Sequence, residues 1–373
     1  MQASGYAEFV SNNASFQGGA AYVCNSSLQI FGDAGFTQNV AESGGALYSN
    51  HSVIIQNKAT VWEHNSAQNG GGRVFLGNST LHVTSFGTAV YFGNEAGWGG
   101  AIYPLGSILL IDGDVSFANN SVTEVGGAVF GHKSVVNITG RTSWDSNMAL
   151  NAGGGLALVE TTLHMIAGSS SSFSKNSANI GGGMSIGENA AVVVAGRAIF
   201  AHNHAETGGG ITTLQFPSVD LSGGLVAMLG NTAFSSGGGM HCESPTLLRL
   251  DGVQFTSNYA GVNGGAITTL SAGIARMRAT DETDPAIISN CSFSDNAAAD
   301  AGGGFFIGGG LVEITGSVFR NNTAGDAINC FFMTNNYSTM FNSVIMSAQT
   351  GRATCPQVGH HYVSIANRWD LAR

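Results

Sequence analysis

The chain has 373 residues, of which 55 are Gly, 13 are Lys or Arg and 23 are Asp or Glu, and its formal net charge is −10 at pH 7. A hydrophobic content of 43% with so few charges excludes a disordered chain, and the lack of a strict Gly-x-y period excludes collagen. No basic cluster and no apolar run of ~18 residues is present, so we expect no nucleic-acid partner and no transmembrane helix.

An internal repeat runs along most of the chain. A bulky residue, usually aromatic, is followed three positions later by Asn, and this F-x-x-N motif occurs twelve times. Successive Asn residues are 26 to 29 residues apart, with one spacing of 38. The first is Asn12, and the others are Asn39, Asn65, Asn94, Asn120, Asn147, Asn176, Asn203, Asn231, Asn258, Asn296 and Asn322. A period of about 27 residues is typical of a solenoid.

Each copy predicts three short strands. A Gly pair such as Gly99-Gly100 follows the Asn, and three apolar stretches follow the pair, the third ending in the next F-x-x-N. Their Val, Ile, Leu and Phe residues lie between Gly, Asn, Asp and Ser, which favours strands over helices. We therefore predict an all-β, right-handed parallel β-helix of about 12 coils over residues 1–330. A cap or a degenerate coil is expected over residues 331–373.

The repeated residues predict how the coils stack. Asn at one position of every coil can form a structural ladder in which each side-chain amide donates to the next. The aromatic residue of the motif is expected to form a stacked column. The Gly pair allows positive φ and close contact between coils.

Two other repeat classes fit less well. Leucine-rich repeats share the period, but their L-x-x-L-x-L spacing is absent. Calcium-binding nonapeptide coils need G-G-x-G-x-D, and the nearest matches, such as Gly182-Gly183-Met184-Ser185, lack the Asp. We predict no metal site and no cofactor.

The long spacing between Asn258 and Asn296 predicts a loop insertion at about residues 271–288. Insertions in solenoids form loops on one face and often bind partners, although a merely tolerated surface loop is the alternative. The candidate binding residues are Arg276, Arg278, Asp281, Glu282 and Asp284.

Carboxylates were compared by their position in the coil, because β-helix enzymes that cleave polysaccharides need two or three converging charged groups. Asp300 and Asp326 each lie four residues after the Asn of adjacent coils, which makes them weak catalytic candidates. We favour a solvated turn for both. Asp220 and Asp251 form a looser pair, and Arg249 is expected in an exposed ion pair with Asp251.

Histidines and cysteines give weak signals. His64, His202 and His204 flank ladder Asn residues and are expected on the turn surface. Cys24 and Cys242 lie eight coils apart, or ~38 Å, which is beyond disulfide reach.

The cysteines near the C-terminus are the possible disulfide partners. Cys330 and Cys355 could form a bridge there, with Cys291 as a rival partner. Cys355 with His360 and His361 could also suggest a metal site, but no second cysteine pair at ligand spacing supports one.

The paired motifs resemble a known family. F-x-x-N together with G-G-A-[ILV] resembles the repeat of the chlamydial polymorphic outer-membrane proteins over residues 9 to about 330. The resemblance implies a pectin-lyase-like β-helix that acts as a surface-exposed adhesin, although no C-terminal translocator barrel is visible here. The matching glycine motifs are Gly44-Gly45-Ala46-Leu47, Gly99-Gly100-Ala101-Ile102, Gly126-Gly127-Ala128-Val129 and Gly264-Gly265-Ala266-Ile267.

Our first hypothesis is therefore a non-enzymatic cell-surface or extracellular protein, adhesive or structural, with a surface protein or a polysaccharide as ligand. The alternative is a carbohydrate-active enzyme or a polysaccharide-binding protein. The chain has no signal-peptide pattern and opens inside a coil. We expect a fragment of a longer protein that associates end to end through its uncapped first coil.

Overall fold

A computed structural model describes residues 2–3, 5–68, 73–270, 286–309 and 312–325, and three further strands within 331–346. All regular structure in these residues is β-strand, and every strand pairing is parallel. The predicted all-β parallel solenoid is confirmed. Its strands form four sheets that run the length of the rod.

The sheets are numbered by the order in which the chain visits them after a Gly pair. The first sheet contains β3 (Ala21–Cys24), β7 (Leu47–Asn50), β11 (Val74–Gly77), β15 (Ile102–Leu105), β19 (Val129–His132), β23 (Leu156–Val159), β27 (Met184–Ile186), β31 (Ile211–Thr213), β35 (Met240–Glu243), β39 (Ile267–Leu270), β43 (Phe305–Ile307) and β47 (Phe331–Met333). The second contains β1 (Gln2–Ala3), β4 (Ser27–Ile30), β8 (Val53–Gln56), β12 (Thr80–Val83), β16 (Ile108–Ile111), β20 (Val135–Ile138), β24 (Thr162–Met165), β28 (Ala191–Val194), β32 (Ser218–Leu221), β36 (Leu247–Asp251), β40 (Ala286–Ser289), β44 (Val312–Thr315) and β48 (Thr339–Phe341).

The third and fourth sheets lie on either side of the ladder Asn. The third contains β2 (Ala7–Val10), β5 (Ala34–Thr37), β9 (Ala59–Glu63), β13 (Thr88–Phe92), β17 (Asp114–Ala118), β21 (Arg141–Asp145), β25 (Ser170–Ser174), β29 (Arg197–Ala201), β33 (Leu225–Leu229), β37 (Gln254–Thr256), β41 (Ser292–Ser294), β45 (Val318–Arg320) and β49 (Val344–Met346). The fourth contains β6 (Val40–Ala41), β10 (Ser66–Ala67), β14 (Glu95–Ala96), β18 (Ser121–Val122), β22 (Met148–Ala149), β26 (Ser177–Ile180), β30 (His204–Thr207), β34 (Thr232–Ala233), β38 (Tyr259–Ala260), β42 (Ala297–Ala298) and β46 (Thr323–Ala324).

The chain makes about eleven turns, about 27 residues apart. We predicted three strands per coil, and the structure has a fourth, directly after the ladder Asn. Most strands of this fourth sheet are two residues long and contain Ala, so they lack the apolar run that marks a strand in sequence. Right-handed winding stays a prediction.

Side chains alternate between the core and the surface along the longer strands. In β9 the buried residues are Thr60 and Trp62, and in β21 they are Thr142 and Trp144. Because each strand pairs in register with its counterpart one coil away, the inward residues form continuous columns along the rod. These columns are the hydrophobic core.

The Gly pairs have the predicted roles. Gly126 has φ +71°, and a Cβ on Gly127 would lie 2.0 Å from the carbonyl oxygen of Gly154 in the next coil. Any larger residue at Gly127 would therefore force adjacent coils apart.

Two predicted boundaries concern the C-terminal part of the chain. Within the predicted insertion, residues 271–285 lie outside the described residues, while residues 286–288 belong to β40, which pairs with β36. Strands β47, β48 and β49 continue three of the sheets inside the segment predicted as a cap or degenerate coil. The boundary at residue 330 stays a prediction.

Candidate functional site

The ladder asparagines line one inner edge of the solenoid, and the predicted ladder is confirmed. All eleven from Asn39 to Asn322 are buried. Each Oδ1 accepts the Nδ2–H and the backbone N–H of the Asn one coil before, as Asn147 Oδ1 does from Asn120 at 2.9 and 3.1 Å. The other Nδ2–H of Asn147 donates to the backbone carbonyl of Phe117, the bulky motif residue of the preceding coil, at 3.0 Å. The amide groups thus satisfy one another inside the core.

The bulky residues of the motif form the expected column beside this ladder. Neighbouring rings from Phe9 to Phe200 are nearly parallel, with centroids 4.0 to 6.0 Å apart. Met228 interrupts the column, and stacking resumes at Phe255 and Phe293, 5.1 Å apart. The column therefore extends the core as one apolar stack.

A second ladder, made of hydroxyl groups, was not predicted. Ser79 Oγ donates to the Gly77 carbonyl and accepts the backbone N–H of Ser52, and the same pattern recurs at Ser107 and Ser134. The sequence signal is a Ser at the same place in successive coils, between the first and second strands. Because Ser is frequent throughout the chain, this periodic position does not stand out in the sequence.

The predicted carboxylate sites stay apart or lie outside the described residues. Asp300 is exposed on the turn that follows β42, and Asp326 lies outside the described residues. Asp220 is in register with Arg249 on adjacent strands. Asp251 instead accepts hydrogen bonds from Ser289 and Asn290, at 2.7 and 2.8 Å.

The predicted histidines lie on the surface near the ladder. His64 and His202 are turn residues with φ of 49° and 55°, and His204 is exposed in β30. Within the part of the chain that the structure describes, no three His, Cys, Asp or Glu side chains come close enough to bind a metal.

One surface pair was missed by sequence reasoning. His82 Nε2 lies 2.7 Å from Asp112 Oδ2, and Thr139 donates to Asp112 Oδ1 at 2.6 Å. Burial raises the pKa of Asp112, but the hydrogen bonds from Thr139 and His82 outweigh it, so this pKa lies below the ordinary value. The residues stand 27 to 30 positions apart, so only the coil register brings them together.

The three described cysteines are free thiols. Cys242 and Cys291 are buried, and burial raises the pKa of each thiol to about 12. The possible partners Cys330 and Cys355 lie outside the described residues, as do His360 and His361 and the five predicted binding residues of the insertion.

A groove lies along the fourth sheet between Val122 and Phe234. Its floor is part of a row of small residues, one per coil, two positions after each ladder Asn. Four residues of this row, Val122, Ala149, Ala178 and Ala205, line the groove, which we call the alanine trough. The whole row is buried, and its members are Ala41, Ala67, Ala96, Val122, Ala149, Ala178, Ala205, Ala233, Ala260 and Ala298. The repeat places Ala there in nearly every coil, so the row of small residues follows directly from the sequence.

The trough is a cavity of about 460 Å³ that spans five coils, from Val122 to Phe234. Its walls carry large apolar side chains on the surface, since Met148, Leu150 and Phe234 are 55, 62 and 70% exposed. Polar and charged groups lie beside them, and the nearest are those of Asn179, His204 and Glu206. This apolar groove edged by hydrogen-bonding groups can hold an extended ligand.

A row of aromatic side chains faces outward on the first sheet. Tyr22, Tyr48, Phe75, Tyr103 and Phe130 contact one another in successive coils, with centroids 4.8 to 5.5 Å apart. The row is more than half exposed at Tyr22 and becomes buried at Tyr103 and Phe130. Most of its rings stack face to face, which stabilises the sheet. The ring edges are the parts that face the solvent.

None of the described residues forms a helix that could span a membrane. A search of curated proteins finds no match. A family model described as the Chlamydia polymorphic membrane protein repeat matches residues 114–132. These residues run from the start of β17 through ladder Asn120 and Gly126-Gly127 to the end of β19, which is three of the four strands of one coil. The chain is a β-solenoid built from repeats similar to those of the chlamydial polymorphic membrane proteins.

Proposed function

We propose that the chain is a non-enzymatic cell-surface or extracellular protein whose solenoid presents an adhesive surface, the alanine trough. The observation that carries the proposal is the exposure of Met148, Leu150 and Phe234 around one cavity. Soluble proteins rarely leave large apolar side chains side by side on the surface unless they contact a partner. The match to a membrane-protein repeat supports a surface location.

The direction of the trough favours an extended ligand. The trough follows the rod axis, so each row of lining residues recurs at the strand spacing of ~4.8 Å. A polysaccharide or an extended segment of a surface protein would meet a small apolar side chain in each of four successive coils, at Val122, Ala149, Ala178 and Ala205. Polar neighbours such as Ser177 and Asn179 can bond the hydroxyl or amide groups of either ligand.

The loop insertion extends the proposal to a second surface. Its five charged candidates would add polar contacts beside the rod, as insertions in solenoids often do. Deleting residues 276–284 tests this part separately from the trough.

Binding of the purified chain to immobilised polysaccharides and extracellular-matrix proteins tests the function. Phe234→Ser combined with Leu150→Ser should weaken binding at least tenfold, because two exposed apolar contacts are lost. Phe86→Ser is the matched control, since Phe86 is 82% exposed on a turn outside the trough. Equal loss in both variants, or no loss in the trough variant, would contradict the proposal.

The enzymatic alternative has its own readout. Each bound polysaccharide is assayed for new reducing ends and unsaturated products. Turnover that disappears in Asp300→Asn or Asp326→Asn would replace the adhesive function by a catalytic one.

A further inference from the structure

Three inward-facing positions depart from the residue types of their columns, and they lie in adjacent coils. Every first-sheet strand from β3 to β43 is preceded by Ala or Gly, except β11, which is preceded by Arg73. In the second sheet, the last inward residue of β8 is Gln56. The residues in register with it in the two flanking coils are Ile30 and Val83. Tyr91 brings a hydroxyl group into the aromatic column. Unselected substitutions would be scattered along the rod, so this grouping indicates one polar centre.

The guanidinium of Arg73 lies fully buried inside the solenoid. Its Cζ atom is 4.7 Å from the ring centroid of Trp62 and 5.1 Å from that of Tyr91, and Nη1 donates to the Trp62 carbonyl. The Trp62 and Tyr91 centroids are 6.0 Å apart, compared with 4.0 to 5.1 Å in the rest of the column. The ladder contact from Asn65 Nδ2 to Asn94 Oδ1 is stretched to 3.5 Å. The ring spacing and this side-chain contact are thus longer here, while the strands of the two coils stay paired.

The groups around the guanidinium are mostly donors without an acceptor. Among the described residues, Arg73 Nε and Nη2 and Trp62 Nε1 have no hydrogen-bond acceptor, and the Tyr91 hydroxyl and the Gln56 amide, which act on each other, have no further partner. The corresponding indole N–H of Trp144 is satisfied by a neighbouring threonine hydroxyl at 2.9 Å. Buried donors that stay unpaired are costly, so an acceptor is needed here.

The charge of Arg73 also needs compensation. A guanidinium keeps its proton in proteins, and an unpaired buried ion is strongly destabilising. Glu63 is the nearest carboxylate that acts on Arg73, but its side chain is 39% exposed and lies 3.6 Å from His64. The described residues therefore supply no buried counter-charge.

We infer that this centre is an anion site, in which a small monovalent anion of the halide class binds beside Arg73 within the core. The guanidinium, the indole, the phenol and Gln56 Nε2 can each donate a hydrogen bond, and one spherical acceptor can receive several of them, while Gln56 Oε1 only accepts. A single-atom anion occupies less space than phosphate or sulfate, so the inference is limited to the halide class.

Thermal unfolding in different sodium salts tests the site. The full chain is dialysed free of chloride and refolded in sodium chloride, sodium bromide or sodium gluconate at one ionic strength. Wild type should gain about 2 °C in melting temperature per tenfold rise in halide above the dissociation constant, and nothing comparable in gluconate. Equal melting temperatures in halide and gluconate would overturn the inference.

Variants and a crystal locate the effect. Arg73→Ala restores the small residue of the column and should abolish the halide dependence, whereas Arg197→Ala, which removes an exposed Arg of β29, should keep it. Gln56→Ile keeps Arg73 and should weaken the dependence, so it serves if Arg73→Ala does not fold. A crystal grown in bromide should show an anomalous peak beside Arg73. A water molecule there, or halide dependence retained in Arg73→Ala, would overturn the site.

Discussion

Replacing a single ladder asparagine should lower the free energy of unfolding by a large amount for one side chain. Asn147→Ala deletes four hydrogen bonds: two from Asn147 Nδ2, to Asn176 Oδ1 and the Phe117 carbonyl at 3.0 Å each, and two from Asn120 to Asn147 Oδ1. A hydrogen bond contributes about 1 kcal/mol, and a buried donor left without a partner costs more, so we expect a loss of about 4 kcal/mol. The Asn147 backbone N–H keeps its bond to Asn176.

Urea unfolding followed by circular dichroism measures this loss. Asn137→Ala is the matched control, because Asn137 lies half-buried on the outer side of β20, where its Oδ1 meets only His164 Nδ1, at 3.2 Å, among the described residues. We expect the control to change stability by no more than about 0.5 kcal/mol. A loss below about 1 kcal/mol for Asn147→Ala would refute the ladder's stabilising role.

Asn147→Asp separates shape from hydrogen bonding. Asp has almost the same size, but its carboxylate would replace two donors by an acceptor that faces the Phe117 carbonyl and Asn176 Oδ1. The loss should be at least as large as for Ala. An Asp variant as stable as wild type would mean that filling the space, and not the amide chain, stabilises the edge.

Three further predictions concern titration, reactivity and association. Burial lowers the pKa of His241 from 6.5 to about 4. Between these pH values, His241 is therefore protonated in the unfolded chain and neutral in the folded chain. Stability should fall by about 3 kcal/mol as pH drops through this window, and His241→Thr should remove most of that loss in urea titrations at pH 7.5 and 4. Because burial raises the pKa of Cys242 and Cys291 to about 12, iodoacetamide at pH 8 should label Cys24 far faster, and peptide mass spectrometry showing equal rates would contradict their burial. Residues between Ala7 and Phe36 line an apolar cavity of about 580 Å³, so we expect sedimentation velocity to show association that grows with concentration, and a monomer at all concentrations would disprove it.

The repeat made most of the fold predictable. A bulky residue and an Asn at a fixed period predict both the aromatic column and the ladder, because stacked coils bring identical positions together. The fourth sheet was missed because two residues such as Ser66 and Ala67 carry no strand pattern of their own. The period alone also places the alanine row, but the groove above part of this row depends on how the turns fold around it.

Single departures from the repeat were harder to interpret. Arg73 and Gln56 stand 17 positions apart, and neither is unusual until the coils are aligned in register. The pair formed by His82 and Asp112 depends on the same register. A comparison of each coil with its neighbours, column by column, could have found the inner polar centre from the sequence.

Hydroxyl-radical footprinting of the ligand-bound chain tests the trough most directly, because Met and Phe side chains are readily oxidised when exposed. With a ligand from the binding panel, we expect oxidation of Met148 and Phe234 to fall several-fold, while Phe86, exposed elsewhere on the rod, stays unchanged. Protection of Phe86 or of the first-sheet aromatic row with Met148 still oxidised at its free rate would contradict the alanine trough as the adhesive surface.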